Sequence, residues 1–353
     1  MTVDYLIIGQ GISGTFLSYY LQKENKSFLV IDDPRPNTPS RIAAGIINPV
    51  TGRRMVTVWM ADELLLFAWQ AYMEIGHLLG IKAISARSII DFFPNPFMRE
   101  SFLKRIEENN GFVHAYAEQN DFNRYFNFEF GCGEIRPAYT AHLETLLPAW
   151  KNHLLENNAL WEEFFDASLL ELSNKKIVYK GITASGLIFC DGVSGLDNPF
   201  FKMLPYAPNK GEALVVEIPG LPEQHVYKKS LTLAPLAEKD HFWIGSTYQW
   251  EFQDPHPTPE FRKNTERLLS EWLNIPFSVK EHRAGVRPAT LERRPFVGMH
   301  PTYKNLGLLN GMGTKGCSLA PFFAKQLVDH LVYHMEILPE AELNRFQNLL
   351  LRQ

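Results

Sequence analysis

Three textures of apolar and polar positions alternate along this chain. Continuous apolar runs stand at 5–8, 28–31, 187–190 and 306–309, each ending at a glycine, aspartate or asparagine. Runs of that length predict strands buried on both faces. Helical spacing over 61–79 places Leu64, Leu65, Phe67, Ala68, Tyr72 and Ile75 on one broad apolar face. Further helices read over 97–109, 139–157, 261–273 and 318–335. The third texture is short β-rich stretches between prolines and glycines, at 88–93, 126–130, 161–165, 169–172, 176–179, 213–218, 230–234 and 242–247.

What joins the first two runs carries chemistry. Strand 5–8 feeds Gly9-Gln10-Gly11-Ile12-Ser13-Gly14, a helical stretch follows, and the second strand ends in Asp32-Asp33. Strand, glycine turn, helix, strand and acid make the fingerprint of a dinucleotide site. Gly9 permits a sharp turn, Gly11 lets a pyrophosphate approach the backbone, and Gly14 lets helix and sheet pack closely. The helix N-terminus offers free N–H groups and a positive dipole end to phosphate. Asp32 can accept from ribose hydroxyls and disfavours a 2′-phosphate, so FAD or NAD is expected over NADP. A second glycine turn, Gly311-Met312-Gly313-Thr314-Lys315-Gly316, also lies between a strand and a long helix. No further strand and acid follow it, so it reads as an anion-facing helix start rather than a second nucleotide site.

Weaker signals lie between. Prolines mark an extended loop at 34–39, and small residues at 40–45, with Ser40, Ala44 and Gly45, suit either a flat ring or phosphate or a tight packing turn. Thr51-Gly52-Arg53-Arg54 is a basic turn. Asp191-Gly192 ends a buried strand, as ligand-facing backbone or as an ordinary turn. Tyr248 and Trp250 are a pocket wall or core aromatics.

Composition narrows the class. The 353 residues suffice for two domains, and 45% apolar with 21% charged residues suits a globular enzyme. A formal net charge of -4 makes nucleic acid an unlikely partner. Three scattered cysteines, Cys132, Cys190 and Cys317, exclude a disulfide framework and a cysteine metal site, so no metal and a reducing, cytoplasmic setting are expected. The first strand begins next to Met1 and no apolar run is long enough to cross a bilayer, so neither leader nor membrane span is expected.

These motifs, in this order, resemble the D-amino-acid oxidase/glycine oxidase superfamily of FAD-dependent oxidoreductases. The likeness rests on the N-terminal turn with Asp32, residues 40–45, Asp191-Gly192-Val193-Ser194, Ala284-Gly285-Val286-Arg287-Pro288 with Pro295-Phe296-Val297-Gly298, and residues 311–316 with Ala320-Pro321. The last motif is most similar to the oxidase domain of the enzyme that modifies the wobble uridine of tRNA. The resemblance implies an α/β (α+β overall) fold, with a Rossmann-like FAD-binding domain from 1–81, 138–199 and 285–353. An inserted antiparallel-sheet substrate domain would come from 82–137 and 200–284. It implies non-covalent FAD on Gly9, Gly11, Ile12, Ser13, Gly14, Asp32, Asp33, Ser40, Ala44, Gly45, Asp191, Gly192, Gly313, Thr314, Lys315 and Gly316. By the same likeness the C-terminal turn, with Lys315, would stabilise negative charge at the flavin pyrimidine edge. Arg287 would hold a substrate carboxylate, whose geometry a guanidinium matches, and Tyr248 would line the catalytic pocket. The implied reaction is oxidation of a C–N bond in a small amine or amino acid, with oxygen or another acceptor reoxidising the flavin. Two alternatives are a tRNA-modifying flavoenzyme, with Arg53, Arg54, Lys228, Lys229, Arg293 and Arg294 as basic surface, and a non-catalytic flavin-binding protein.

Overall fold

The computed structural model describes residues 1–33, 37–52, 54–108, 111–173 and 176–352. The proline loop at 34–36, Arg53 and the helix stop expected at 109–110 lie outside the described residues.

Two eight-stranded sheets organise the chain. In the first, Leu160–Glu162, Phe28–Asp32, Thr2–Ile8, Ile182–Phe189 and Leu306–Asn310 run parallel in that order. Their continuous apolar character follows from burial on both faces. Ile7 and Val30 pack towards the helices Ile12–Lys23, Ala61–Leu79, Leu143–Glu156 and Gly316–Tyr333, in one core with Phe16, Tyr72, Trp150 and Phe323. Leu6, Leu29, Leu187 and Leu308 face a second core with Phe189, Phe201 and Phe296. Register aligns the carboxyl ends: Ile8 stands beside Ile31 and Phe189, and Phe189 beside Leu308. Gly9, Asp32, Asp191 and Gly311 therefore leave the sheet along one edge, where open α/β sheets bind ligands.

In the second sheet the order is Ser278–Arg287, Asn209–Glu217, His241–Gly245, Thr232–Pro235, His225–Lys228, Ser88–Phe92, Cys132–Ile135, Val113–Ala115. All pairs are antiparallel except His225–Lys228 with Ser88–Phe92. One face packs on the helix Pro259–Trp272 through Phe92, Tyr227, Leu214, Phe242 and Trp272. The segment 37–42 docks on this sheet: Trp243 Nε1 donates to the Ile42 carbonyl at 2.8 Å.

The helix at 61–79 and the strand Leu306–Asn310 form with the expected bounds. Three expectations are corrected. Residues 126–130 are not a strand: Phe126 makes one isolated bridge and its ring is buried beside Phe92 and Trp272, so alternating phenylalanines fill a core rather than extend a sheet. The helix expected from 139 starts at Leu143, because Tyr139–Ala141 pair between Ile46–Ile47 and Ile84–Ala86. The helix expected over 318–335 runs Gly316–Tyr333, two residues earlier at each end. Strand Ser278–Arg287 escaped the sequence reading because its outer half carries Lys280, Glu281 and Arg283, the charges that protect an edge strand.

Candidate active site

Carboxyl-edge turns of the first sheet build the candidate nucleotide cradle. Gly9 leaves its strand at φ +100°, and a Cβ on Gly14 would lie 1.9 Å from the Gly9 carbonyl oxygen. Only glycine allows that approach of helix to strand. Ile12 and Ser13 are buried at the start of the helix. The helix cap, Gly11, provides no side-chain hydrogen bond, and no acid stands in the first turn. Donors there remain for an anion. Ser40 Oγ accepts from the Ile12 N–H at 3.1 Å, which brings residues 39–42 over the turn. Asp32 Oδ1 accepts from Gln10 N at 2.7 Å, and its Oδ2 pairs with Arg41 at 3.2 Å. That carboxylate braces the glycine turn as well as facing the position expected for a ribose. Half-buried Asp33 follows it. Ala44 is buried, and Gly45, at φ +74°, turns the chain into the strand Ile46–Ile47.

Asp191 accepts from Asn198 Nδ2 at 2.9 Å and from Asn310 Nδ2 at 2.8 Å. Burial, the largest cause, pushes its carboxyl up to about 6, against the lowering effect of those bonds. Asn310 also donates to the Gly192 carbonyl at 2.8 Å. Asp191 and Gly192 thus tie two strand ends together. Cys190 and Cys317 are buried, and burial pushes the Cys317 thiol up to about 12, which leaves no thiolate for chemistry.

The C-terminal turn reaches the same place from the other end of the chain. Gly313–Lys315 form one short helical turn before Gly316. A Cβ on Gly316 would lie 3.5 Å from Ile12 Cγ2, so the two glycine turns are neighbours. Thr314 is exposed and Lys315 half-buried. Burial, then Arg294 and Arg293, lower the Lys315 ammonium from its usual range. Gly313 N donates to the Pro288 carbonyl at 3.3 Å, which places Arg287 beside this turn.

Arg287 ends the edge strand of the second sheet. Its Nη1 donates to Asn209 Oδ1 at 2.8 Å and to the Thr247 carbonyl at 3.1 Å, and its Nη2 to Ser246 Oγ at 2.7 Å. The exposed Tyr248 ring stacks 4.9 Å from the guanidinium carbon. All three acceptors are neutral, and among the described residues no carboxylate pairs with Arg287. Asn209 and Ser246 were not singled out in the sequence. Their signal was weak: Asn209 faces Arg287 only through strand pairing, across 78 positions.

The basic residues noted in the sequence do not act as one surface. Lys228 pairs with Asp91 at 2.6 Å and Lys229 donates to the Asn127 carbonyl at 3.1 Å. Both lie four strands away from the edge that ends at Arg287. Among the described residues, no helix is long and apolar enough to cross a membrane.

Comparison with known proteins bears on the fold and the family. The bifunctional protein ThiO/ThiG of Trichormus variabilis is 24% identical over 98% of this chain and 56% of its own length. The chain thus spans about half of that relative. Glycine oxidase of Bacillus subtilis is 23% identical over 95% of this chain and 94% of that protein. The crystal structure of glycine oxidase from Bacillus cereus shares the fold, with a TM-score of 0.79 at 17% identity, covering 95% of this chain and 96% of that one. A family model described as FAD dependent oxidoreductase matches residues 4–330, and the chain belongs to that family.

Proposed function

We propose that this enzyme oxidises a C–N bond of a small amine or amino acid that carries a carboxylate. The observation that carries the reading is Arg287: a half-buried guanidinium beside the C-terminal glycine turn, held by neutral acceptors, with no carboxylate partner among the described residues. A guanidinium so held leaves its charge for a ligand and matches a carboxylate in shape. The cradle suits FAD: the helix N-terminal donors that follow Ile12 for the diphosphate, Asp32 for a ribose hydroxyl, and the start of the helix Gly316–Tyr333 with Lys315 for the electron-rich edge of the ring. Bound FAD supplies the hydride acceptor, which no side chain can provide. Arg287 fixes the substrate by its carboxylate, and Tyr248 covers that contact. The amine enters deprotonated, its carbon loses hydride, and the imine is hydrolysed by water to a carbonyl compound and a free amine. In this reading 82–137 and 200–284 form the substrate side, and the edge strand of their sheet runs on to Arg287.

An anaerobic screen of amino acids and N-alkyl amino acids should find compounds that bleach the flavin. Arg287→Ala should raise KM for them about 30- to 1000-fold, the worth of roughly 2–4 kcal/mol of charged hydrogen bonding. Unchanged KM and kcat in that variant would refute the carboxylate assignment.

A further inference from the structure

The turn that follows Arg287 concentrates positive charge in a way the mechanism does not use. Its backbone closes through Arg293 N to the Thr290 carbonyl at 3.1 Å. Thr290 Oγ1 then accepts from Arg294 N at 3.1 Å and donates to the Arg294 carbonyl at 2.8 Å. Arg293 sits at φ +55°, a left-handed conformation that glycine adopts freely and arginine does not. A strained position is thus occupied by a charged side chain, followed at once by a second. The Arg294 guanidinium lies 4.1 Å over the ring of Trp59, which is itself stacked on Phe323 of the last helix. Among the described residues its guanidinium donates only from Nη1, to the Arg293 carbonyl at 3.1 Å. Lys315 stands on the adjoining glycine turn and feels both arginines. The acid within this turn, Glu292, is taken by Arg345 at 3.1 Å. Among the described residues, Arg293, Arg294 and Lys315 have no carboxylate partner.

Three like charges on two packed turns repel one another in the free protein, and an anion would relieve that repulsion. We propose that Arg293 and Arg294, on the turn packed beside that of Lys315, form a second anion site, and that the substrate is an amine bearing two acidic groups, one for Arg287 and one for this arginine pair. The inference rests on the carboxylate reading of Arg287. A small ligand is favoured over a nucleic acid. The three cations belong to two short turns beside Arg287, whereas Lys228 and Lys229 are engaged elsewhere. The free edge of a guanidinium stacked on tryptophan suits a single carboxylate.

The test uses ligands without an amine, so it does not depend on turnover. Monocarboxylates and dicarboxylates, from malonate to pimelate, are titrated into the oxidised holoenzyme and followed by perturbation of the flavin spectrum. The dicarboxylate of best length should bind at least tenfold tighter than its monocarboxylate counterpart. Arg294→Gln and Arg293→Gln should abolish that preference while leaving monocarboxylate affinity and the flavin reduction potential unchanged. Equal binding of the two classes by the wild type, or a preference that survives both variants, overturns the second site. So does the finding that these variants lose affinity only for bulk tRNA. Arg287→Ala should weaken both classes. Should it weaken neither while the dicarboxylate preference persists, the Arg287 reading fails and the arginine pair stands alone as an anion site.

Discussion

At the scale of single residues, the site depends on close approaches that leave little room for change. A Cβ on Gly211 would lie 2.0 Å from Arg287 Nη2, so Gly211→Ala must displace the guanidinium. The expected outcome is a raised KM for carboxylate substrates, with FAD binding retained, checked by steady-state kinetics beside the flavin absorbance. Asp191 gives a pH signature. Its carboxyl is pushed up to about 6 from 3.8, so the folded state holds the proton more tightly than the unfolded chain. That contribution is complete below 3.8 and is lost as pH rises through about 6, roughly 3 kcal/mol in all. Asp191→Asn removes the titration, so its Tm relative to wild type should rise between pH 4 and pH 7. A flat difference across that interval would show that Asp191 does not titrate there. Single positions were unevenly legible. Gly9, Gly14 and Asp32 announce themselves because their roles are local. Asn209 and Ser246 do not, because their partner is brought to them only by strand pairing and a distant loop.

At the scale of elements, the parallel strands were readable because burial on both faces leaves an unbroken apolar run, and the glycine turns because they punctuate those runs. Two strands of the second sheet were not: the edge strand Ser278–Arg287 runs Lys280, Glu281, His282 and Arg283 together, without the alternation that marks a strand, and the interior strand His225–Lys228 is only four residues long. Residues 126–130 misled for the opposite reason, since buried aromatics imitate a strand without using its ladder. The short helix Pro39–Ile42 shows how two elements depend on each other. Ser40 reaches the nucleotide turn, while the Ile42 carbonyl holds Trp243 of the second sheet. Trp243→Phe keeps an aromatic ring, though a smaller one, and leaves that buried carbonyl without its donor, which alone costs about 1–3 kcal/mol. We expect a lowered Tm and weaker FAD affinity together, from calorimetry and flavin titration. Lowered stability with unchanged FAD affinity would mean that the helix is not coupled to the sheet behind it.

For the whole molecule, chain ends some 300 residues apart in sequence meet at one place: Gly316 stands against Ile12, and the first and last long helices share a core with Phe16 and Phe323. The sequence supplied both turns, but only the common carboxyl edge of the sheet brings them together. If FAD spans them, its binding should act on both at once. Ligand that binds only the folded state stabilises it by about 2.7 kcal/mol at a hundredfold excess over Kd, so Tm should climb with FAD concentration. The location of that gain separates this reading from simple phosphate binding. Amide hydrogen exchange should slow on FAD addition at residues 9–15 and equally at 311–318. The aromatic core around Phe92 and Trp272, under the helix Pro259–Trp272, should be unaffected. Inorganic diphosphate or ADP should protect the first segment alone, because neither has a ring to reach the second. Protection of residues 9–15 by FAD without protection of 311–318 would leave the diphosphate site standing and remove the C-terminal turn from the flavin.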